Sequence, residues 1–397
     1  MTRKRSVVDA DVKGKRVLVR VDFNVPIAEG QVADDTRILA ALPTIELLVS
    51  RGARVVAMSH LGRPAGTGFE EALSMRPVAA RLGELLGSPV AYVADICGDE
   101  ALAAVDALED GQVLVVENLR FDKREKKNDP EFAAALARLG DLYVNDAFGT
   151  AHRAHASVTG VPDHLPAYAG LLLAKEVETI TGMVEEPERP FVAVLGGSKV
   201  SDKIGVIDRL CGLVDTLLVG GGMCFTFMRA QGLATGSSIV EEEWVGRAGE
   251  MLAKAESLGH RIVLPSDYVV ADRFAADAQT QVVAADAIPE GWMGLDIGPA
   301  TVAEYAKILS EAKTVFWNGP MGVFEMDAFA EGTKAVAAAI AGNEACTSIV
   351  GGGDSAAAVK KFGFAEGVTF VSTGGGASMK LVEGVDLPGV EAIPDAE

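Results

Sequence analysis

The chain has 397 residues, of which 49% are hydrophobic and 23% charged, and this composition is typical of a folded enzyme and excludes general disorder. Its formal net charge of −20 repels nucleic acids and anionic membranes, so we expect neither as a partner. The four cysteines are scattered, so we expect neither disulfides nor a zinc site. The sequence shows no signal peptide and no apolar run long enough to span a membrane, and we therefore predict a cytoplasmic protein.

Short β-rich runs alternate with helical patterns along the whole chain. Most of these runs are continuously apolar, as a parallel strand covered on both faces requires. The predicted strands are residues 16–22, 54–59, 112–117 and 142–145 in the first half, and 191–195, 216–219, 261–264, 314–317, 347–350 and 368–371 in the second. The alternation predicts an α/β fold with parallel sheets.

The length and the number of strands predict two sheets, because one open sheet of about a dozen strands would be unusual. A helical pattern covers residues 171–184, and a polar segment punctuated by prolines follows at 185–190. We therefore predict two doubly wound, Rossmann-like domains of similar size joined by a hinge helix. Their limits are residues 1–172 for the N-terminal domain, 173–189 for the interdomain helix and linker, and 190–380 for the C-terminal domain.

Four predicted strands of the second half run into glycine clusters that are followed by helical patterns, at residues 196–197, 220–222, 351–353 and 374–376. Such a turn presents free backbone N–H groups and the positive end of a helix dipole, which suits phosphate. One cluster alone would indicate only a tight turn. Four of them, with Lys199, Lys203 and Asp354 attached, predict a nucleotide lying across the strand ends. The P-loop, G-x-G-x-x-G and protein-kinase motifs are absent from the sequence.

Basic side chains occupy the loops that follow strands in the first half. Each one alone would be a surface salt-bridge or capping residue. Because the carboxyl ends of parallel strands meet at one edge, we expect these side chains to form a positive pocket for a small phosphate- and carboxylate-bearing molecule. They are Arg37, His60, Arg63, Arg120 and Arg153. The charged run at residues 123–127 is predicted to be a solvated loop without a function.

Several segments together resemble the signature motifs of the phosphoglycerate kinase family. They are residues 19–26 (VRVDFNVP), 59–64 (SHLGRP), 117–121 (ENLRF), 145–153 (NDAFGTAHR), 196–203 (GGSKVSDK), 317–322 (WNGPMG) and the two triple-glycine clusters at 351–353 and 374–376. The resemblance covers nearly the whole chain. It implies reversible phosphoryl transfer from 1,3-bisphosphoglycerate to ADP, giving 3-phosphoglycerate and ATP in glycolysis or gluconeogenesis. It also implies a phosphotransferase with a carboxyl acceptor, a monomer, and C-terminal residues 381–397 that pack on the N-terminal domain.

The same resemblance implies a role for individual residues. The phosphoglycerate is held by Asp22, Phe23, Asn24, Arg37, His60, Leu61, Gly62, Arg63, Arg120 and Arg153. The nucleotide is held by Gly197, Lys199, Lys203, Gly221, Gly294, Leu295, Asn318, Pro320, Glu325, Gly351, Gly352, Gly353, Asp354, Ser355 and Thr373. Within that set Glu325 binds the ribose hydroxyls and Asp354 is the protein ligand to Mg²⁺.

The proposed chemistry needs no general base, because the attacking oxygen is already ionised at pH 7. Catalysis then consists of alignment and of neutralising charge on the transferred group. The expected donors are Arg37, Lys199 and the helix N-terminus at Gly375 and Gly376. We also expect hinge closure about residues 171–184, with chemistry only in the closed form.

Two alternatives from other classes stay open at this point. An NAD-dependent two-domain dehydrogenase would share the fold, but the dinucleotide fingerprint is missing. A non-enzymatic, hinge-closing anion-binding protein would leave Lys199, Lys203 and Asp354 without a role.

Overall fold

The computed structural model describes residues 3–396, and these form two compact units. The N-terminal unit comprises residues 3–179 together with 386–396, and the C-terminal unit is Ile180–Val385. The domain limits predicted from the sequence stay a prediction, and Met1, Thr2 and Glu397, which they include, lie outside the described residues.

The N-terminal unit is built on a six-stranded parallel sheet with the order β5-β6-β4-β1-β7-β8. A two-stranded antiparallel hairpin, β2-β3, follows the first strand. The strands are Arg16–Arg20 (β1), Ile27–Ala28 (β2), Gln31–Val32 (β3), Arg54–Met58 (β4), Val90–Tyr92 (β5), Val113–Val115 (β6), Leu142–Asn145 (β7) and Ala167–Ala169 (β8).

Helices cover both faces of this sheet: Thr36–Ser50 (α1), Arg76–Leu86 (α2), Asp99–Asp106 (α3) and Pro130–Ala137 (α4). The next helix, Leu171–Glu185 (α5), begins in the N-terminal unit and ends in the C-terminal unit. Successive residues of a strand face different cores: Val17 and Val19 pack with α1 and α2, whereas Leu18 packs with α3 and α4. This two-sided burial is why the strands are continuously apolar in sequence. At the start of α4, the side chain of Asp129 caps the helix by accepting a hydrogen bond from the backbone N–H of Phe132 at 3.0 Å.

The C-terminal unit repeats this architecture with a six-stranded parallel sheet of order β11-β10-β9-β15-β16-β17. A separate three-stranded antiparallel sheet, β13-β12-β14, belongs to the same unit. The strands are Phe191–Leu195 (β9), Thr216–Val219 (β10), Arg261–Val263 (β11), Asp267–Ala271 (β12), Thr280–Ala284 (β13), Met293–Ile297 (β14), Thr314–Asn318 (β15), Thr347–Gly351 (β16) and Phe370–Val371 (β17).

The helices of the C-terminal unit lie between these strands in the chain, except the last, which follows β17. They are Ile204–Leu210 (α6), Cys224–Ala230 (α7), Val245–Ser257 (α8), Pro299–Glu311 (α9), Glu331–Ala341 (α10), Gly353–Lys361 (α11) and Gly375–Glu383 (α12). The chain ends in the N-terminal unit with a short helix, Pro388–Glu391 (α13). There the side-chain amide of Asn145 donates to the carbonyl of Gly389 at 3.1 Å.

The predicted fold class is confirmed, and each predicted strand has a counterpart in the structure. The sequence analysis missed the short strands β5 and β8 at sheet edges, the β2-β3 hairpin and the antiparallel sheet β13-β12-β14. β13 is mostly exposed, so it lacks the longer apolar run that marks a strand buried on both faces. No helix among the described residues is both long enough and apolar enough to cross a lipid bilayer.

Candidate active site

The loops after β1, β4 and β6 meet in the N-terminal unit through hydrogen bonds between predicted site residues. Arg37, in the first turn of α1, pairs with Asp22 at 3.3 Å and donates to the carbonyl of Asn24 at 3.1 Å. The side-chain oxygen of Asn24 accepts from the backbone N–H of Gly62 at 2.8 Å. Arg120 donates to the carbonyl of Gly62 at 2.7 Å. These contacts join three strand ends into one site, which we call the cationic site.

Apart from His60, the remaining predicted residues of this site fall into two groups. Phe23 and Leu61 are buried, so their side chains support the loops that carry their polar neighbours. Arg63 and Arg153 are exposed. Arg153 belongs to the same site, because its charge, like those of Arg37 and Arg120, lowers the pKa of His60.

Arg120 is buried, and one nitrogen of its guanidinium is both buried and unpaired among the described residues. Its Nε lies out of solvent and has no hydrogen-bond partner among the residues that the structure describes. Burial, and then the charges of Arg153 and Arg20, lower the pKa of Arg120 to about 10, so it is still a cation at neutral pH. An unpaired buried donor is costly unless a ligand supplies the acceptor, and an anionic oxygen would do so.

His60 differs from the other members of the predicted basic cluster because it is neutral. Its side chain is buried, and burial together with the charges of Arg20, Arg120, Arg153 and Arg37 lowers its pKa well below the usual value. The expectation that His60 adds positive charge to the pocket is therefore wrong. The position of His60 after a predicted strand indicates that it belongs to the site, but it does not indicate whether the ring is charged.

Two buried charged residues near this site were missed by the sequence analysis. Arg20, fully buried at the end of β1, donates from Nε to the hydroxyl of Ser157 at 2.9 Å. Glu125 is also fully buried and accepts from the hydroxyl of Ser157 at 2.6 Å. The prediction of a solvated loop at residues 123–127 is therefore wrong at Glu125. An arginine within an otherwise apolar strand was the signal available for Arg20.

Asn118 is a further residue that sequence reasoning did not single out. This buried side chain accepts from the backbone N–H of Leu61 at 3.2 Å and donates to the carbonyl of Leu61 at 2.8 Å. It also accepts from the backbone N–H of Arg120 at 3.0 Å. One amide thereby fixes both the loop after β4 and the turn that carries Arg120.

A cavity of about 360 Å³ opens in the C-terminal unit at the ends of β15 and β16. Helices α11 and α12 begin at this cavity, so their first backbone N–H groups and positive dipole ends face it. The predicted residues that line it are Gly197, Lys199, Lys203, Asn318, Pro320, Gly352, Gly353, Asp354, Ser355, Gly375 and Gly376. We call it the phosphate cavity.

Lys203 is held in this cavity by Asn318. Its ammonium donates to the side-chain oxygen of Asn318 and, at 3.4 Å, to the backbone carbonyl of the same residue. The amide nitrogen of Asn318 in turn donates to the carbonyl of Gly351 at 2.8 Å. Burial lowers the pKa of Lys203 to about 8, although the charges of Asp354 and Asp202 oppose this shift.

Two glycines are required here by close approach of backbone or side chain. Gly352 has a φ of 95°, and a Cβ there would lie 2.8 Å from the amide nitrogen of Asn318. Gly221 has a φ of 64°, and a Cβ there would lie 2.5 Å from the carbonyl oxygen of Gly197. Any side chain at either position would displace the walls of the site.

A second cavity of about 570 Å³ adjoins the first and shares Gly197, Ser198, Pro320 and Asp354 with it. Aromatic and aliphatic side chains line much of it, which suits a flat aromatic ring. Its other predicted lining residues are Gly221, Gly294, Leu295 and Glu325. A Cβ at Gly294 would lie 2.2 Å from the ring of Phe225, so the packing of that ring requires glycine. Gly351 and Thr373 line neither cavity. Gly351 directly precedes Gly352, which lines the phosphate cavity, and Thr373 lies two residues before the start of α12.

Asp296 was also missed by the sequence analysis and lines the larger cavity. Its buried carboxyl accepts from the backbone N–H groups of Ile297 at 2.9 Å and Gly332 at 2.8 Å. Burial raises the pKa of Asp296 to about 7. It joins β14 to the start of α10 and so supports this wall of the cavity.

The chain is similar to known proteins over almost its full length. A family profile described as "Phosphoglycerate kinase" matches residues 7–385. A phosphoglycerate kinase from Moorella thermoacetica is 58% identical over 392 residues, covering 99% of each chain, and one from Rubrobacter xylanophilus is 56% identical over 394 residues, again covering 99% of each. The solved structure of phosphoglycerate kinase from Coxiella burnetii has a TM-score of 0.88 at 43% identity and covers 98% of both chains. This chain therefore belongs to the phosphoglycerate kinase family.

Proposed function

We propose that this chain transfers a phosphoryl group reversibly from 1,3-bisphosphoglycerate to ADP, giving 3-phosphoglycerate and ATP. It is then a phosphotransferase with a carboxyl group as acceptor. The observation that carries the proposal is a pair of complementary half-sites on one chain. One is the cationic site of the N-terminal unit, and the other is the phosphate cavity, which meets two helix N-termini in the C-terminal unit.

The cationic site takes the phosphoglycerate in this proposal. The unused donor of buried Arg120 and the exposed guanidinium of Arg153 suit phosphate and carboxylate oxygens. The net charge of the whole chain is −20 and repels anions, so the attraction for an anionic substrate must come from these neighbouring cations. The substrate-binding residues are Asp22, Phe23, Asn24, Arg37, His60, Leu61, Gly62, Arg63, Arg120 and Arg153.

The two adjoining cavities take the nucleotide in this proposal. The apolar cavity accepts the adenine beside Gly221, Gly294 and Leu295, and Glu325 binds the ribose hydroxyls. The phosphate cavity accepts the phosphates beside Lys199, Lys203 and Asn318. Support comes from the shared lining residues, which make the two cavities continuous.

A magnesium ion fits the donor set at this position only with help from the nucleotide. Asp354 lines both cavities and offers a hard carboxylate oxygen. No group of three or more metal-ligating side chains occurs among residues 3–396, so the remaining ligands would come from phosphate oxygens and water. Bound Mg²⁺ supplies positive charge to the phosphates.

Catalysis in this proposal is alignment and charge neutralisation without proton abstraction. Arg37 fixes one end of the reacting pair, since its guanidinium is already oriented by Asp22 and Asn24. Lys199 and the N-terminus of α12 at Gly375 and Gly376 neutralise charge on the transferred group.

A coupled assay tests the proposal directly. With 3-phosphoglycerate, ATP and Mg²⁺ the protein should form ADP, and omission of 3-phosphoglycerate should abolish ADP formation. Lack of turnover with both substrates present would contradict the proposal. Equilibrium dialysis against ADP and NAD separates it from the dehydrogenase alternative, which requires NAD to bind.

Hinge closure about the helix between the units, a monomeric state and a cytoplasmic location stay predictions. Small-angle X-ray scattering tests the first: the radius of gyration should fall when both substrates are bound. An unchanged radius would count against closure.

A further inference from the structure

A continuous chain of buried hydrogen bonds leads from Glu125 to His60. Ser157 donates from its backbone N–H to one oxygen of Glu125 at 2.9 Å and from its hydroxyl to the other at 2.6 Å. The hydroxyl oxygen of Ser157 accepts from Nε of Arg20 at 2.9 Å. Nη2 of Arg20 lies 3.1 Å from Nδ1 of His60. Glu125, Ser157 and Arg20 are fully buried, and His60 is 4% exposed.

The direction of every hydrogen bond in this chain follows from the chemistry of its members. A guanidinium has donors only, so Nδ1 of His60 must accept from Arg20 and carries no proton. The single hydroxyl proton of Ser157 goes to Glu125, whose two oxygens both accept, as an ionised carboxylate does. This leaves a lone pair of Ser157 for Arg20. The proton of a neutral His60 ring is therefore on Nε2.

The charges that face His60 favour the same state. Arg20, Arg120, Arg153 and Arg37 all lower its pKa, after the larger effect of burial. The carboxylate of Asp22 has an oxygen 4.0 Å from Nδ1 of His60. This distance is too long for a hydrogen bond. Four guanidinium groups and burial thus oppose the imidazolium form.

We propose that the buried chain Glu125–Ser157–Arg20 fixes His60 as a neutral ring with its proton on Nε2, so that His60 gives an anionic substrate a directed hydrogen bond rather than a positive charge. The identity of that substrate rests on the proposed function. Glu125 and Ser157 act as positioning residues, because they reach the site only through Arg20. The arginines supply the positive charge of the cationic site, and His60 supplies a hydrogen bond of fixed direction.

The direct test is nitrogen NMR of the histidine rings in the whole protein labelled with ¹⁵N-histidine. The His60 signals are identified by their loss in His60→Gln. From about pH 5.5 to 8, where an unperturbed histidine titrates, we expect an unprotonated Nδ1 and a protonated Nε2. The same pattern should persist in saturating 3-phosphoglycerate. A protonated Nδ1 in either state overturns the proposal.

The positioning role is tested by Ser157→Ala with Ser74→Ala as its matched control. Ser74 is also a buried serine of the N-terminal unit, and its hydroxyl donates to a buried glutamate, Glu117, at 2.9 Å. Ser157→Ala removes the acceptor that holds Nε of Arg20, so Arg20 is no longer fixed against Nδ1 of His60. The variant should therefore mix the His60 tautomers and raise KM for 3-phosphoglycerate about 3- to 10-fold, with KM for ATP unchanged. Ser74→Ala should leave the His60 signals as they are. Equal effects of both variants on His60 would overturn the role of Ser157.

A second variant keeps the test available if Ser157→Ala does not fold. Glu125→Gln preserves the shape of the side chain but adds a donor, so Ser157 can turn its proton toward Arg20 and break the chain. It should also mix the tautomers, and an unchanged His60 spectrum contradicts the proposal. Binding of 3-phosphoglycerate should change the chemical shifts of His60 without changing its tautomer. If His60 has the expected tautomer but its shifts do not change, the proposed function is contradicted and the tautomer assignment stands.

Discussion

The two half-sites attract anions by different means. In the cationic site the donors are side chains, and buried partners such as Asp22, Ser157 and Asn118 hold them in place. In the phosphate cavity many of the donors are backbone N–H groups at the starts of α11 and α12, and glycines clear the space. A site built from side chains is damaged by removing atoms, whereas a site built from backbone is damaged by adding them.

The largest effect should come from removing an oriented cation. Arg37→Ala should lower kcat about 10²- to 10³-fold, the scale of losing one preorganised donor to a transition state, and change KM for ATP little. Steady-state kinetics with each substrate varied separately measure this. Arg81→Ala is the control, since Arg81 is another arginine of the N-terminal unit, held by Asp35 at 2.6 Å. A loss confined to ATP binding would show that Arg37 is misassigned.

A weaker effect is expected from Asp354→Ala, which removes the proposed protein ligand to Mg²⁺. KM for the magnesium–ATP complex should rise about 10- to 100-fold, and KM for 3-phosphoglycerate should change less than about threefold, because the cationic site is built separately. Titration of activity against Mg²⁺ checks the cause. The fully exposed Asp327, 3.9 Å from Lys361, gives the control Asp327→Ala. Equal losses for both substrates would contradict separate half-sites.

Local sequence predicted the backbone-built half-site better than the partners of the side-chain-built one. A strand end, a glycine cluster and a helix start are adjacent in the chain, so positions such as Gly352 and Gly375 could be found without knowing the fold. The partners of Arg20 could not, because Ser157 lies 137 residues away and only the folded sheet brings them together. Glu125, within a charged run, contacts the same serine, which lies 32 residues further along the chain.

The same reasoning explains the errors about Asp296 and the charge of His60. Asp296 supports a cavity wall by accepting from Gly332, 36 residues further along the chain. The neutral state of His60 depends on burial and on arginines from several loops. The sheets themselves were predictable because two-sided burial leaves a local, continuously apolar signature.

Adding one methyl group tests the backbone-built half-site. Gly352→Ala places Cβ 2.8 Å from the side chain of Asn318, which holds Lys203, so KM for ATP should rise roughly 10- to 100-fold. Gly363→Ala is a matched control, because Gly363 has a φ of 76° and no neighbour within 4 Å of the added carbon. Both variants should lose about 1–3 kcal/mol of unfolding free energy, because a residue with a Cβ is strained at a positive φ. Only Gly352→Ala should affect nucleotide binding, and equal KM values would refute the close-approach argument.

The smallest expected effect is a pH dependence of KM for ATP that KM for 3-phosphoglycerate does not share. Burial lowers the pKa of Lys203 to about 8, whereas Arg120 titrates at about 10. Raising the pH from about 7.5 to 9 should therefore neutralise Lys203 first and raise KM for ATP up to about tenfold, with KM for 3-phosphoglycerate nearly constant. Lys203→Arg should remove this pH dependence, because a guanidinium stays charged. If the KM for 3-phosphoglycerate rises in parallel, Lys203 is not the cause.

Stability should show the opposite trend with pH, and this provides an independent check on Lys203. The folded protein has the lower pKa for this ammonium, so between about pH 8 and the ordinary value of 10.5 the unfolded chain binds more protons. The free-energy cost of burying the charged ammonium of Lys203 is fully present below about pH 8 and falls as the pH rises through this window. The difference in unfolding free energy between the wild type and Lys203→Met should therefore shift in favour of the wild type on going from about pH 7.5 to 10. Denaturant titrations at the two pH values measure it. Nucleotide binding should weaken over the same pH range in which stability rises. The ammonium of Lys203 explains both trends only if Lys203→Arg removes the pH dependence of KM for ATP and Lys203→Met removes the pH dependence of stability.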